Sequence, residues 1–199
     1  MTKLVGLTGG IASGKSTVSK MLSQVGFPIV DADLVVHRLQ QPGQPGFERL
    51  VDQFGQSILT AAGQLDRQRL GQMAFSNADT RQELNRVMQP LIRDTIFDQI
   101  NDLKKAGMPA IILDAPLLFE QHYDEDCDLV VVVAVNYENQ LVRLMARDNY
   151  SRVEAKERVD SQMPLSQKEK LADLVIDNNG DCQQLQTQVA QLVKRLKSV

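Results

Sequence analysis

A glycine-rich loop between an apolar run and an amphipathic segment is the feature that most constrains the fold of this chain. KLVGLT, at residues 3–8, is a short β-prone run, and the glycines after it lead into KSTVSKMLSQVG. Four apolar residues of that segment recur at helical spacing and predict one buried stripe: Val18, Met21, Leu22 and Val25. Gly26 is expected to end the helix. A strand that passes through a glycine loop into a helix opens a parallel α/β unit.

The loop itself matches a phosphate-binding pattern. Gly9, Gly14, Lys15 and Ser16 fill GxxxxGK[ST], the P-loop motif of proteins that bind ATP or related nucleotides. Glycines let consecutive backbone N–H groups face phosphate oxygens, and the following helix presents its positive end to the same charge. Lys15 is expected to reach the β- and γ-phosphates during catalysis, and Ser16 to bind Mg²⁺. An accidental glycine turn is the alternative. The predicted ATP-binding residues of the loop are Gly9, Gly10, Ile11, Ala12, Ser13, Gly14, Lys15, Ser16 and Thr17.

Five apolar runs predict the strands of an α/β fold with a doubly wound parallel sheet. They are KLVGLT, FPIV at 27–30, AIILD at 110–114, DLVVVVAV at 128–135 and LVID at 174–177. The continuous apolar character of 128–135 is typical of an interior strand covered by helices on both faces. In such sheets, ligands bind outside the carboxyl ends of the strands. A closing helix is predicted from Leu185, Val189, Leu192, Val193 and Leu196.

Two helical stretches lie between these strands. PGQPG at 42–46 marks a break, after which no strong strand is predicted before residue 110, so this stretch reads as an insertion. Pro90 is expected to start a helix there. The polar segment 148–170 carries two capping-box patterns, Ser151 with Glu154 and Ser166 with Glu169. Apolar stripes predict the helices of the insertion: Phe47, Leu50, Val51 and Phe54, then Ile92, Ile96, Ile100 and Leu103.

Three aspartates follow predicted strands. Asp31 and Asp33 come after FPIV, and Asp114 ends AIILD. A carboxylate at such a place can orient a reacting hydroxyl or bind Mg²⁺, as the carboxylate of a Walker-B strand does. Asp is also a favoured helix cap and a common turn residue, so a purely structural role is the alternative for each. The residues alone leave open which aspartate contacts the ion.

Arginines cluster after the fourth predicted strand. Arg143 and Arg147 lie four residues apart on one helix face, and Arg152 follows in the polar segment. In a phosphotransferase, such guanidiniums neutralise charge on the transferred phosphoryl group. The alternative is a solvated face on which these arginines pair with Glu138 or Asp148.

Composition excludes several classes of function. A net charge of −3 disfavours nucleic acid as a partner, because binding its phosphates requires a basic face. Cys127 and Cys182 lack the spacing of a zinc site, and both His37 and His122 are isolated and expected to be solvated. Cys127 is expected to be a small buried hydrophobe. With no export signal and no apolar window near about 18 residues, a reducing cytosol is the expected compartment.

Five motifs together resemble the dephospho-coenzyme A kinase family: LTGGIASGKST, VDAD, DAPLLFE, RLMARDNYS and VIDNNG, in this order along nearly the whole chain. The resemblance implies ATP-dependent phosphorylation of the 3′-hydroxyl of dephospho-coenzyme A, the last step of coenzyme A synthesis. It also implies one P-loop kinase-type domain. Its core would comprise residues 1–40, 108–142 and 171–199, with a helical acceptor-binding insertion at about 41–107 and a helical lid at about 143–170.

The resemblance also implies roles for single residues. Asp33 would contact the acceptor hydroxyl, Arg143 would be a lid arginine on the phosphates, and Asn178 and Asn179 would lie near the adenine. Gln89 departs from the family pattern, which often has His before this proline, so no titrating group is expected there. By its position on the helix face of Arg143, Arg147 is a further expected phosphate ligand, and Asp114, at the end of a strand, is with Ser16 an expected Mg²⁺ ligand.

Two other functions are compatible with the P-loop. One is a P-loop kinase of another nucleoside or nucleotide, and the other is a nucleotide-dependent switch ATPase. The chain has no NKxD-type guanine signature, and its lid-like arginines favour phosphoryl transfer. No heptad repeat or interface patch in the sequence indicates an oligomeric state.

Overall fold

The computed structural model describes residues 2–198, which contain a five-stranded sheet. The strands lie in the order β2-β3-β1-β4-β5; β1 is parallel to β3 and β4, and β4 is parallel to β5. The predicted parallel α/β sheet is confirmed, and β4 is an interior strand, as its continuous apolar run indicates. The strands are β1 (Lys3–Gly9), β2 (Ile29–Asp31), β3 (Ala110–Asp114), β4 (Leu129–Ala134) and β5 (Leu174–Asp177).

Helices follow or connect these strands. They are α1 (Lys15–Gln24), α2 (Ala32–Leu39), α3 (Pro45–Phe54), α4 (Arg67–Ser76), α5 (Ala78–Lys105), α6 (Tyr137–Asp148), α7 (Arg152–Asp160), α8 (Leu165–Leu171) and α9 (Cys182–Lys197). Short 3₁₀ turns occur at Gln56–Ile58 and Asp124–Asp126. Within residues 2–198, every helix is too short or too polar to cross a lipid bilayer.

The chain forms two compact units, one made of Asp31–Asp102 and the other of the segments before and after it. The core of the larger unit lies between the sheet and two helices that pack on it. The strands contribute buried valines and leucines, α1 contributes Val18 and Leu22, and α9 contributes Leu185, Val189, Leu192 and Leu196. Each such side chain contributes about 1.5–3 kcal/mol when it is fully buried. This packing fixes the helix that follows the glycine loop.

The predicted stripe on α1 is wrong at its last position. The helix ends at Gln24, and Val25, which caps it, is 44% exposed. Gly26 adopts a left-handed φ of +95°, which stops the helix as predicted.

The smaller unit contains α2, α3, α4 and most of α5. Here the prediction that Pro90 starts a helix is wrong, because α5 runs from Ala78 through Pro90 to Lys105. A proline inside a helix removes one N–H donor and crowds the preceding turn. Residues on both sides of Pro90 are buried, and their burial opposes that cost: Val87, Met88, Ile92, Ile96 and Ile100. The break at 42–46 is also shorter than predicted, since α3 begins at Pro45.

One of the two predicted capping boxes is present. Ser151 caps α7, and its hydroxyl and backbone form the reciprocal bonds with Glu154 that the pattern predicts. The second prediction is wrong, because α8 begins at Leu165 after Pro164, which places Ser166 inside the first turn. A proline before the helix fixes an extended backbone there and takes the cap position.

Candidate active site

The loop between β1 and α1 has the backbone geometry of an anion cradle. Ala12 has a φ of +58° and Gly14 a φ of +91°, both left-handed, and Ser13 donates its backbone N–H to the carbonyl of Gly10 at 3.1 Å. Alternation of right- and left-handed residues turns successive N–H groups towards one side and forms a nest for anions. Thr17, in the first turn of α1, donates its backbone N–H to the carbonyl of Gly14 at 3.0 Å, so the helix starts directly behind this nest.

Glycine is required at two positions of the loop. A Cβ on Gly9 would lie 2.6 Å from Ser13 Oγ and 2.7 Å from the carbonyl oxygen of Val133. A Cβ on Gly14 would overlap the side-chain amide of Asn178, and its left-handed φ disfavours any other residue. The close approach of β4 and of Asn178 therefore sets the shape of the loop from outside.

Three amide side chains hold the backbone of the loop. Gln140 on α6 donates to the carbonyl of Ile11 at 2.9 Å, and Gln162, between α7 and α8, accepts the N–H of Ile11 at 3.1 Å. Asn178 donates to the carbonyl of Ser13 at 2.8 Å. Neither Gln140 nor Gln162 was predicted, since nothing in the local sequence distinguishes these glutamines from the other polar residues of α6 and of the α7–α8 connection.

Lys15 and Asp114, both predicted site residues, lie together. The Lys15 ammonium is bonded to a carboxylate oxygen of Asp114, and the two side chains are only 17% and 5% exposed. β1 and β3 align Leu7 with Asp114, and the backbone N–H of Ala115 donates to the carbonyl of Leu7 at 3.0 Å. The ammonium and the carboxylate thus meet where β3 ends beside the glycine loop.

The donors near the loop suit a cation that keeps most of its ligands outside the protein. Among residues 2–198, His, Cys, Asp and Glu side chains form no group of three that could bind a metal ion. The carboxylate of Asp114 and the exposed hydroxyl of Ser16, in the first turn of α1, are the candidate donors. One or two protein oxygens together with waters and phosphate oxygens are the usual Mg²⁺ environment. The chain's residues therefore fit Mg²⁺ delivered with a nucleotide.

The three candidate arginines have separate partners. Arg143 donates to the carbonyl of Asn178 at 2.9 Å, next to the loop. Arg147 forms two bonds with Asp148 at 2.8 and 2.9 Å, and the hydrogen bond between them raises the pKa of Arg147 and lowers that of Asp148. Only Arg143 bonds to a residue that holds the glycine loop.

Arg152, like Arg147, forms an exposed ion pair, which was the predicted alternative to a phosphate-binding role. It pairs with Glu138 at 2.9 Å, and the side chains of Arg147 and Arg152 are each 59% exposed. Exposed ion pairs of this kind contribute about 0–1 kcal/mol, so phosphate oxygens could compete for either guanidinium.

The two asparagines after β5 organise the neighbouring backbone. Asn178 touches the loop through its side chain and Arg143 through its carbonyl. Asn179 accepts the N–H of Asn136, the cap of α6, at 2.8 Å, and donates to Asp177 at 2.6 Å. The asparagines thus join the end of β5 to the loop and to α6. Their predicted proximity to an adenine stays a prediction.

Asp31 and Asp33 differ in role although one residue separates them. Asp31 caps α2, and its carboxylate accepts the N–H of Leu34 at 3.0 Å. Asp33 lies in the first turn of that helix. Asp31 therefore takes the capping role that was the structural alternative for both residues. Gln89 is half-buried on α5.

The histidines have the predicted solvent environment, whereas Cys127, which was predicted to be buried, is only partly buried. His37 is exposed on α2, and His122 is 76% exposed and 3.5 Å from Glu125. Burial, with smaller contributions from Asp126 and other nearby carboxylates, raises the pKa of the Cys127 thiol to about 12. A thiol with that pKa is almost wholly protonated near neutral pH and is a poor nucleophile.

A cavity of about 400 Å³ lies beside Gly10, between the start of α6 and the helices α7 and α8. Its titratable lining residues are Tyr137, Asp160 and Glu169, with no lysine or arginine among the residues that line it. The lining offers a phosphate group no cationic side chain, so the backbone nest with Lys15 is the candidate anion site.

Comparison with known proteins agrees with this geometry. The sequence model of the family described as dephospho-CoA kinase matches residues 3–184. A dephospho-CoA kinase of Bacillus anthracis is 44% identical over 195 residues, which cover 98% of each chain.

Solved structures share the fold. A crystal structure from Thermus thermophilus superposes with a TM-score of 0.83 at 30% identity, and a dephospho-CoA kinase from Campylobacter jejuni does so with a TM-score of 0.74 at 29% identity. Each comparison covers 98% of both chains. The predicted P-loop kinase-type fold and the predicted resemblance are thereby confirmed. This chain belongs to the dephospho-CoA kinase family.

Proposed function

We propose that this protein transfers the γ-phosphoryl group of ATP to the 3′-hydroxyl of dephospho-coenzyme A, giving coenzyme A and ADP. The observation that carries the proposal is the likeness to dephospho-CoA kinases over nearly the whole chain. The glycine loop and the buried pair of Lys15 and Asp114 supply the nucleotide half of such a reaction.

In the proposed reaction, the acceptor's 3′-oxygen forms a bond to the γ-phosphorus, and the bond from that phosphorus to the bridging oxygen of ADP breaks. The electron pair of the broken bond leaves with ADP, and the hydroxyl proton passes to a carboxylate or to water. Because the transition state is largely dissociative, the protein acts mainly by positioning the groups and by stabilising charge. A carboxylate needs only to capture the proton late, when bond formation to the γ-phosphorus is advanced.

The residues divide this work as follows. The N–H groups of the loop and the ammonium of Lys15 bind the β- and γ-phosphates. Arg143, which is anchored on Asn178, neutralises negative charge on the transferred group. Asp33, in the first turn after β2, orients the acceptor hydroxyl. Arg147 exchanges Asp148 for a phosphate oxygen, and Asn178 and Asn179 flank the adenine.

Ser16 and Asp114 are the residues that would hold Mg²⁺. When bound, the ion supplies positive charge to the β- and γ-phosphate oxygens. Asp114 also holds Lys15 at the loop, so that the ammonium is in place when the phosphates arrive. We further propose that residues of about 41–107 bind the acceptor, that about 143–170 form a lid, and that the reaction takes place in the cytosol.

The test is an acceptor assay with the purified full chain. Mg²⁺, ATP and dephospho-coenzyme A should yield ADP and coenzyme A in equal amounts, whereas Lys15→Met should yield neither. Adenosine and AMP serve as competing acceptors, because a kinase of another nucleoside or nucleotide would prefer one of them. ADP release without coenzyme A formation would instead favour a switch ATPase and reject the proposal.

A further inference from the structure

A fully buried lysine ties α8 to the segment that follows Asp114. Lys168 has no exposed side-chain surface, and its ammonium donates to the carbonyl of Pro116 at 2.7 Å and to Glu120 at 2.9 Å. A charge is buried in a protein only where partners satisfy it. Lys168 and Glu120 therefore fix α8 on the chain that leaves β3.

Glu120 extends this attachment to the connection between α7 and α8. The same carboxylate oxygen that pairs with Lys168 also accepts the backbone N–H of Met163 at 3.2 Å. Met163 directly follows Gln162. The pair thus holds the backbone beside Gln162 at a fixed place in the larger unit.

Gln162 in turn binds the glycine loop at Ile11. Its side-chain oxygen accepts the N–H of Ile11, while Gln140 donates to the carbonyl of the same residue. The next residue, Ala12, has a φ of +58°, which a residue with a Cβ rarely adopts unless its surroundings impose it. Both peptide groups of Ile11 are held from outside, directly before the strained residue of the phosphate nest.

We infer that Gln162, held through Glu120 by Lys168, is a positioning residue that keeps the loop in its ATP-binding conformation. None of these three side chains needs to touch the nucleotide. Without the acceptor oxygen of Gln162, Ala12 can relax towards a right-handed conformation, and the nest loses the alternation that points its N–H groups at phosphate. The inference rests on the proposed function only in that ATP is the ligand.

The deciding variant is Gln162→Met, which removes the acceptor oxygen and keeps the length of the side chain. Titration calorimetry with MgATP, in the absence of an acceptor, should give a Kd raised about tenfold, the scale of one hydrogen bond. The Kd for dephospho-coenzyme A alone should stay within about twofold of the wild-type value. Gln167→Met, on an exposed residue of α8, is the matched control and should bind ATP as the wild type does. A Gln162→Met protein with wild-type ATP affinity would overturn the inference.

Lys168→Met tests whether the contacts of Lys168 and Glu120 position Gln162. The exposed Lys170→Met is its control. We expect weaker ATP binding and little further loss when Gln162→Met is added, because both changes release the same contact. A lower Tm with unchanged ATP affinity would reject Lys168 as a positioning residue.

If Lys168→Met does not fold, Glu120→Gln keeps an oxygen for Met163 and should give an ATP Kd between those of the wild type and Gln162→Met. Wild-type affinity in Glu120→Gln would likewise reject this positioning role.

The outcomes separate this inference from the proposed function. A wild-type protein that binds ATP but leaves dephospho-coenzyme A unchanged would remove the proposed acceptor, while the ATP titrations would still decide the role of Gln162. A wild-type protein that makes coenzyme A, together with a Gln162→Met protein of normal ATP affinity, would leave the activity intact and remove the positioning role. A wild-type protein that binds no ATP would end both.

Discussion

The ammonium of Lys15, at the start of α1, and the carboxylate of Asp114, at the end of β3, form an ion pair in which neither side chain is more than 17% exposed. The pair joins two motifs that lie far apart in the sequence and belong to adjacent strands of the sheet. Because the pair is largely shielded from water, removing one partner leaves the other with a poorly solvated charge. The pair therefore couples the lysine of the glycine loop to the candidate Mg²⁺ ligand.

Asp114→Asn should raise the Mg²⁺ concentration needed for half-maximal rate and lower kcat at least about tenfold. The amide is a weaker cation ligand and no longer pairs with the charge of Lys15. Initial rates against Mg²⁺ at fixed ATP measure both effects. Asp126→Asn, which removes one exposed carboxylate in the same unit, is the control. An unchanged Mg²⁺ requirement would limit Asp114 to holding Lys15.

Asp33→Asn should lower kcat by about 10² or more, the lower end for a group that takes a proton, and leave the ATP Kd within about twofold. Asp31→Ala is the matched change. It removes the cap of α2 and should cost about 1 kcal/mol of the free energy of unfolding, with a much smaller effect on kcat. Turnover, ATP titration and thermal unfolding on both variants separate the two roles. Unchanged turnover in Asp33→Asn would leave this carboxylate without a catalytic role.

Local patterns predicted most of the sheet, because uninterrupted apolar runs such as 110–114 and 128–135 determine where buried strands lie. Pro90 was misassigned for a physical reason. A proline is favoured in the first turn of a helix and is tolerated inside a helix only at a cost. Burial of the residues on both sides offsets that cost, and the local sequence pattern does not show this burial. The strand predicted at 27–30 overlaps β2 at Ile29 and Val30, but β2 begins two residues later than the apolar run and extends to Asp31.

The supports of the loop could not be predicted from the sequence. Gln140 and Gln162 contact Ile11 across 129 and 151 residues of chain, and no local periodicity encodes such contacts. Lys168 lies in a segment rich in charged residues, where exposure is the expectation, and its burial results from Pro116 and Glu120, which lie 52 and 48 residues away. Motifs therefore identified the groups that could touch the substrates, whereas the residues that hold them emerged only from the fold.

Cys127 should resist alkylation in the folded protein. Its pKa of about 12 leaves roughly 10⁻⁴ of the thiol ionised at pH 8, so iodoacetamide should react with it at least about 10² times more slowly than with the exposed Cys182. Mass spectrometry of a timed reaction should find one label per folded chain and two per denatured chain. Equal labelling rates in the folded chain would contradict the raised pKa.

The raised pKa of Cys127 also makes the free energy of unfolding depend on pH. The folded pKa of Cys127 lies above the ordinary value of 9.0, so the folded state favours the neutral thiol. The stability that this group contributes is complete below about pH 9 and is lost as the pH rises towards about 12. Denaturant unfolding at pH 8 and 10.5 should therefore show a smaller loss of stability for Cys127→Ala than for the wild type.

Arg143→Ala should slow phosphoryl transfer by about 10³, the lower end of the range for a guanidinium that stabilises the transferred group. The residue also donates to the carbonyl of Asn178, so its removal should lower the free energy of unfolding by about 1 kcal/mol. Single-turnover rates at saturating ATP measure transfer apart from this structural effect. Arg143→Lys keeps the charge and should recover part of the rate, whereas Arg195→Ala, an exposed arginine on α9, should leave the rate unchanged. If the single-turnover rate of Arg143→Ala lies within a factor of two of the wild type, Arg143 serves only to anchor the backbone after β5.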